Sequence, residues 1–142
     1  EGSVREYQSQ NRQFGLGKNF ERSGSFGPWL VTKDEFGDPA THTLTTRLNG
    51  IERQKAGISG MLFDVPHLVS YLSEGYTLQP GDVIVTGSPG ALPLRPGETP
   101  EKPRGPVIVE GQIHMRHGDV CEVEIDGIGT LSNSVITDPT AN

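Results

Sequence analysis

The sequence predicts a β-rich α+β fold, and three observations carry the prediction. With 19 Gly and 11 Pro in 142 residues, and 32% hydrophobic side chains, the chain favours short strands and tight turns over long helices. An Asn49-Gly50 pair joins two extended arms, the pattern of a type I′ hairpin. A single segment, residues 65–72, has apolar residues at helical spacing. The length suffices for one core and not comfortably for two, so a single domain over 1–142 is expected.

In chain order, residues 1–13 are polar with Val4 and Tyr7 three apart, which predicts a short helix. A Gly-rich loop then runs through Gly27. Residues 28–32 are β-formers and read as a short strand, stopped by a turn at Lys33-Asp34-Glu35 and by Gly37-Asp38-Pro39. The hairpin covers 43–54. In the helix that follows, Val65, Leu68, Val69 and Leu72 share one face, Asp64 is the candidate N-cap, Pro66 lies in the first turn and Gly75 marks the end. Pro80-Gly81-Asp82 leads into a strand at 83–85, and His117-Gly118-Asp119 leads into one at 120–125. The latter alternates apolar and acidic residues, so one face is buried and the other wet. Asp126-Gly127 turns it back into 128–131, while the proline-rich stretch 90–106 reads as a long surface excursion.

Charge and cysteine usage narrow the function. A net charge of −6, with no dense run of Lys or Arg, argues against a nucleic-acid partner. Apolar runs fall short of the ~20 residues that a spanning helix needs, so no membrane role and a cytoplasmic location are expected. The single Cys121 excludes an intrachain disulfide and a Cys-rich zinc site, and its strand position marks a small core residue. His42, His67, His114 and His117 have no metal-site spacing and read as surface or helix-flank residues.

The residues suited to chemistry lie in two stretches. Arg5 and Gln8, three apart, offer donors and an amide to an anion if they share a helix face, or else form an ordinary exposed polar helix. Lys18 sits in Gly17-Lys18-Asn19-Phe20, where Gly17 admits close backbone approach and Phe20 can wall a cleft; a solvated lysine is the plain alternative. Thr86, Gly87 and Ser88 end the strand at 83–85 with two hydroxyls beside a flexible residue, a ligand loop or a simple turn.

Taken together, Ser3-Val4-Arg5-Glu6-Tyr7-Gln8, Gly17-Lys18-Asn19-Phe20, Gly27-Pro28-Trp29-Leu30-Val31-Thr32 and the Asn49-Gly50 hairpin resemble the fumarylacetoacetate hydrolase family. So do Pro80-Gly81-Asp82-Val83-Ile84 with Thr86-Gly87-Ser88-Pro89, and Gly118-Asp119 through Ile128-Gly129-Thr130-Leu131. Order and spacing match nearly the whole chain, as the C-terminal part of the family's catalytic domain.

The resemblance implies a mixed β-roll of packed sheets, a homodimer, and Mg²⁺, Mn²⁺ or Ca²⁺ as cofactor. It implies 2-oxo or β-diketo acids as substrates, acted on by acylpyruvate-like C–C bond hydrolysis, decarboxylation, hydration or isomerisation. Carried over by residue, Lys18 stabilises an enolate, Gln8 and Arg5 contact substrate, and Thr86, Gly87 and Ser88 form the carboxylate loop, with Ser88 where a threonine is usual. Glu1 stands at an aspartate metal-ligand position. The family's other acidic ligands and its water-activating dyad lie upstream, so a missing N-terminal half is expected as partner. The alternative is a non-catalytic subunit that keeps the fold for binding or assembly.

Overall fold

The structure, a computed structural model, describes residues 1–10, 12–90 and 114–137. Its centre is a four-stranded antiparallel sheet in the order β2-β1-β3-β4, with β1 Thr43–Leu48, β2 Ile51–Gly57, β3 Val120–Ile125 and β4 Gly129–Ser134. Three helices accompany it: α1 Arg5–Gln8, α2 Lys33–Phe36 and α3 Val65–Gly75. The α+β class holds, and one sheet forms among the described residues.

The hairpin forms as its sequence dictates. Asn49 at φ 53° and Gly50 at φ 75° supply the left-handed pair of a type I′ turn, and β1 runs against β2 from Thr43 opposite Gly57 to Leu48 opposite Ile51. Asn49 also acts across the sheet. Its Nδ2 donates to Asp119 Oδ1 at 2.8 Å, and its Oδ1 accepts from the Val120 N–H at 2.9 Å, so the turn holds the start of β3 beside β1. The other oxygen of Asp119 accepts from the Arg116 N–H at 2.7 Å.

These bonds, Asn49 first and Arg116 second, hold the Asp119 carboxyl below the usual carboxylate range. A depressed folded pKa stabilises the fold above the unfolded value of about 3.9, and the contribution is lost as pH falls through the folded value. In the intact protein, acid unfolding below about pH 4 is therefore expected to be shallower in Asp119→Asn. An acid-unfolding curve identical to that of the parent would contradict this.

Strand pairing segregates the sheet's faces. Leu44, Leu48, Cys121 and Ile125 fall on one side, since Leu44 opposes Ile125 and Leu48 opposes Cys121. On the other side Arg47 Nη1 donates to Glu124 Oε2 at 2.5 Å. Cys121 is half-buried, and burial is what pushes its thiol pKa up.

Among the described residues the core is slight. Leu48, 8% exposed, is the buried hydrophobic residue among those described, with Thr45 at 6%. Leu30 at 87%, Leu62 at 88% and Trp29 at 71% face solvent. A sheet buries its apolar face only against a second layer, and the described helices do not supply one.

Other elements depart from the sequence reading in instructive ways. Residues 28–32 and 83–85, predicted as strands, join no ladder among the described residues. The first instead lies along β4: Ser25 Oγ donates to Asn133 Oδ1 at 2.7 Å, and Trp29 reaches Gly129. The turn at 33–35 is one turn of helix, α2, and β4 continues to Ser134. In α3 the Asp64 cap is present, accepting from the His67 N–H at 2.8 Å, and Gly75 is the last helical residue. Its apolar stripe stays open, with Val65 and Val69 at 40% and 41% exposure.

His42 is not a surface residue; it is half-buried, stacked on Phe36 at 4.0 Å, with Nδ1 3.8 Å from Asp126 Oδ2. Apart from Gly90, the 90–106 excursion lies outside the described residues.

Candidate functional site

The N-terminal segment doubles back on itself. The Gly2 N–H donates to Ser23 O at 2.6 Å and the Val4 N–H to Gly17 O at 2.9 Å, so residues 1–4 lie against 17–23 without any regular strand. Between them the chain makes α1 and a 3₁₀ turn at Phe14–Lys18. Ser23 closes the far end, its Oγ donating to Phe20 O at 2.7 Å.

This folding gathers three of the candidate residues with Glu1. Lys18 Nζ lies 3.6 Å from Glu1 Oε2, the two side chains 23% and 38% exposed. Arg5 Nη1 donates to Gln8 Oε1 one helical turn on, which fixes the guanidinium and turns the amide. Tyr7 and Phe20 meet edge to face, with ring centroids 4.8 Å apart, and give the cluster an apolar wall. Gly17 packs against Gln8, so the Lys18–Glu1 and Arg5–Gln8 pairs stand on adjoining stretches of backbone; an ammonium and a guanidinium are groups suited to an anion and to negative charge that develops in a reaction.

Thr86, Gly87 and Ser88 lie in an irregular segment with Gly87 at φ 96°. It is moored to β2, where Gln54 Nε2 donates to Pro89 O at 2.7 Å. Among the described residues no hydrogen bond or ion pair joins Ser88 to Arg5, Gln8 or Lys18.

A hard dication takes about six oxygen ligands. Glu1 brings one carboxylate, already beside an ammonium, and no group of three or more His, Cys, Asp or Glu among the described residues is placed to hold a metal ion. The residues present do not fit a complete divalent site.

A cavity of about 260 Å³ lies elsewhere, between the 26–31 segment and the apolar sheet face, lined by Phe26, Trp29, Leu30, Val123, Ile125 and Ile128. It contains none of the candidate residues. Sequence reasoning missed the Glu1–Lys18 pair and the Gly2–Ser23 bond, which join remote segments through backbone and have no turn motif to announce them.

Comparison with known proteins bears on this geometry. The family model described as fumarylacetoacetate (FAA) hydrolase C-terminal matches residues 1–136. An oxaloacetate tautomerase of Bacillus subtilis is 37% identical over 133 residues, 94% of this chain and 40% of that protein. The solved fumarylacetoacetate hydrolase of Exiguobacterium antarcticum superposes with a TM-score of 0.78 at 36% identity, covering 96% of this chain and 44% of that one. Maleylpyruvate hydrolase from Sphingobium sp. SYK-6, solved in complex with manganese(II) ion and pyruvate, superposes at 0.60 with 32% identity, over 78% of this chain and 34% of that one. The chain thus spans less than half the length of these relatives.

Proposed function

Because the chain belongs to the fumarylacetoacetate hydrolase family, we propose that it supplies the anion-holding part of a metal-dependent hydrolase or lyase site for a 2-oxo or β-diketo acid. The reaction class is acylpyruvate-like C–C bond hydrolysis or oxaloacetate-type decarboxylation. The observation that supports the reading is that Gly17, next to Lys18, packs against Gln8, which in turn accepts from Arg5 Nη1 one helical turn earlier.

Both reactions leave electron density on a carbonyl oxygen as a bond to the neighbouring carbon breaks. A fixed ammonium stabilises that oxygen as charge develops and needs no reorganisation to do so. Lys18 takes this role. Arg5 and Ser88 hold the substrate carboxylate, Gln8 orients it, and Thr86 and Gly87 shape the loop that presents Ser88.

The cofactor is a divalent cation, Mg²⁺ with Mn²⁺ or Ca²⁺ as substitutes; a solved relative in complex with manganese(II) ion and pyruvate supports this reading. Glu1 offers one ligand to it, and the remaining oxygens come from a missing N-terminal half. The family extends the proposal to a cytoplasmic homodimer; among the described residues no helix is long and apolar enough to cross a membrane.

The incomplete carboxylate set and the open apolar surface favour a second reading, a non-catalytic subunit that keeps the fold for assembly. Calorimetric titration of the intact protein with oxalate and Mg²⁺ separates the two. Oxalate, a mimic of the enolate, is expected to bind with the metal and to lose at least tenfold in affinity in the Arg5→Ala/Lys18→Ala double variant. Equal affinity in the variant refutes the assigned roles, and no binding in the parent favours the subunit.

A further inference from the structure

We propose that Gly2 and Gly17 are positioning residues, a two-rung backbone clasp whose missing side chains set the spacing of Lys18, Gln8 and Glu1. The proposal rests on the reading of Lys18 and Gln8 given above. Neither glycine has a φ in the left-handed region, so backbone conformation does not demand glycine at either place. Space demands it. A Cβ on Gly17 would stand 2.7 Å from both N and Cβ of Gln8 and 2.8 Å from its Cα. On Gly2 it would stand 2.7 Å from Ser23 O. These obstacles are mostly backbone atoms, which cannot swing aside as the end of a side chain can.

The neighbouring glycines differ. Gly24 has nothing within 4 Å of its would-be Cβ, and Gly15 has only Asn19 Nδ2 at 3.9 Å. Within residues 1–24, close approach is therefore confined to the two glycines that carry the clasp: the Gly2 N–H donates to Ser23 O, and Gly17 O accepts from Val4.

What the clasp fixes follows from its neighbours in sequence. Gly17 is buried directly beneath Gln8, so Gln8 and Lys18 emerge from the two sides of one contact. Glu1, next to Gly2, meets Lys18 at 3.6 Å. Relieving a Cβ clash at 17 moves α1 away from Lys18 by roughly 1 Å, a displacement able to cost about 10²-fold in rate when it separates groups that act together.

The test uses the intact protein, with oxaloacetate as substrate and amide hydrogen exchange as an independent readout. Gly17→Ala is expected to lower kcat/KM about 10²-fold, chiefly in kcat, while Gly24→Ala matches the parent. Combined with Lys18→Ala it is expected to cost nothing more, because the two changes remove one arrangement. The Val4 amide, bonded across the clasp, is expected to lose protection in Gly17→Ala and keep it in Gly24→Ala.

Full additivity with Lys18→Ala, or Val4 protection retained in Gly17→Ala, overturns the proposal. If Lys18→Ala alone leaves the rate intact, the reading of Lys18 falls, and Val4 exchange still decides the clasp. Should Gly17→Ala not fold, Gly2→Ala is judged by the same rate, cycle and exchange criteria.

Discussion

Lys18→Ala is expected to lower turnover of a 2-oxo acid by about 10²–10³-fold in the intact protein, with the loss in kcat larger than the change in KM. A charge that meets only the developing oxyanion contributes little to holding the ground-state substrate, so its removal falls on the chemical step. The position suits that role: Lys18 is 23% exposed, and among the described residues it pairs with Glu1, at 3.6 Å. Lys18→Arg keeps the charge but spreads it over a bulkier planar fork on a three-methylene stem, and is expected to recover only part of the rate. Steady-state assays of oxaloacetate decarboxylation and acylpyruvate cleavage supply the measurement. A variant as fast as the parent on whichever of these the parent turns over would remove Lys18 from the site.

The largest stability effect is expected at Leu48. Leu48→Ala is expected to destabilise the intact protein by about 2–3 kcal/mol, from lost transfer energy plus the cavity left behind. At 8% exposure it is the buried hydrophobic residue among those described, and it links strands, standing opposite Ile51 on β2 and Cys121 on β3. Leu30→Ala is the matched comparison, since at 87% exposure it is expected to stay within about 0.5 kcal/mol of the parent. Urea denaturation gives both values from the shift in midpoint at constant slope. Equal midpoints for the two variants would mean that the β1 contacts do not carry the sheet.

What the sequence disclosed was whatever neighbouring residues determine. Asn49-Gly50 sets a turn by its own dihedral preferences, and Asp64 with Pro66 starts a helix by satisfying its own first amides, so both were legible. The alternation in β3 was legible for the same reason. Residues 28–32 and 83–85 have strand-forming side chains, yet a strand needs a partner, and β-propensity reports fit to a pleated surface rather than the presence of that partner. At the candidate site the residue types were legible in Arg5, Gln8 and Lys18. The backbone bonds that bring Glu1 to Lys18, and the mooring of the Ser88 loop to β2 through Gln54, depend on long-range folding that no local pattern encodes.

Leu30, Leu62 and Trp29, largely exposed, also bear on how the polypeptide is expected to behave as a colloid. Oil-like patches of this kind adhere to one another, so dilution favours a dispersed particle and crowding a clotted one. Sulfate, which strengthens the burial of apolar surface, is expected to strengthen the same attraction between particles.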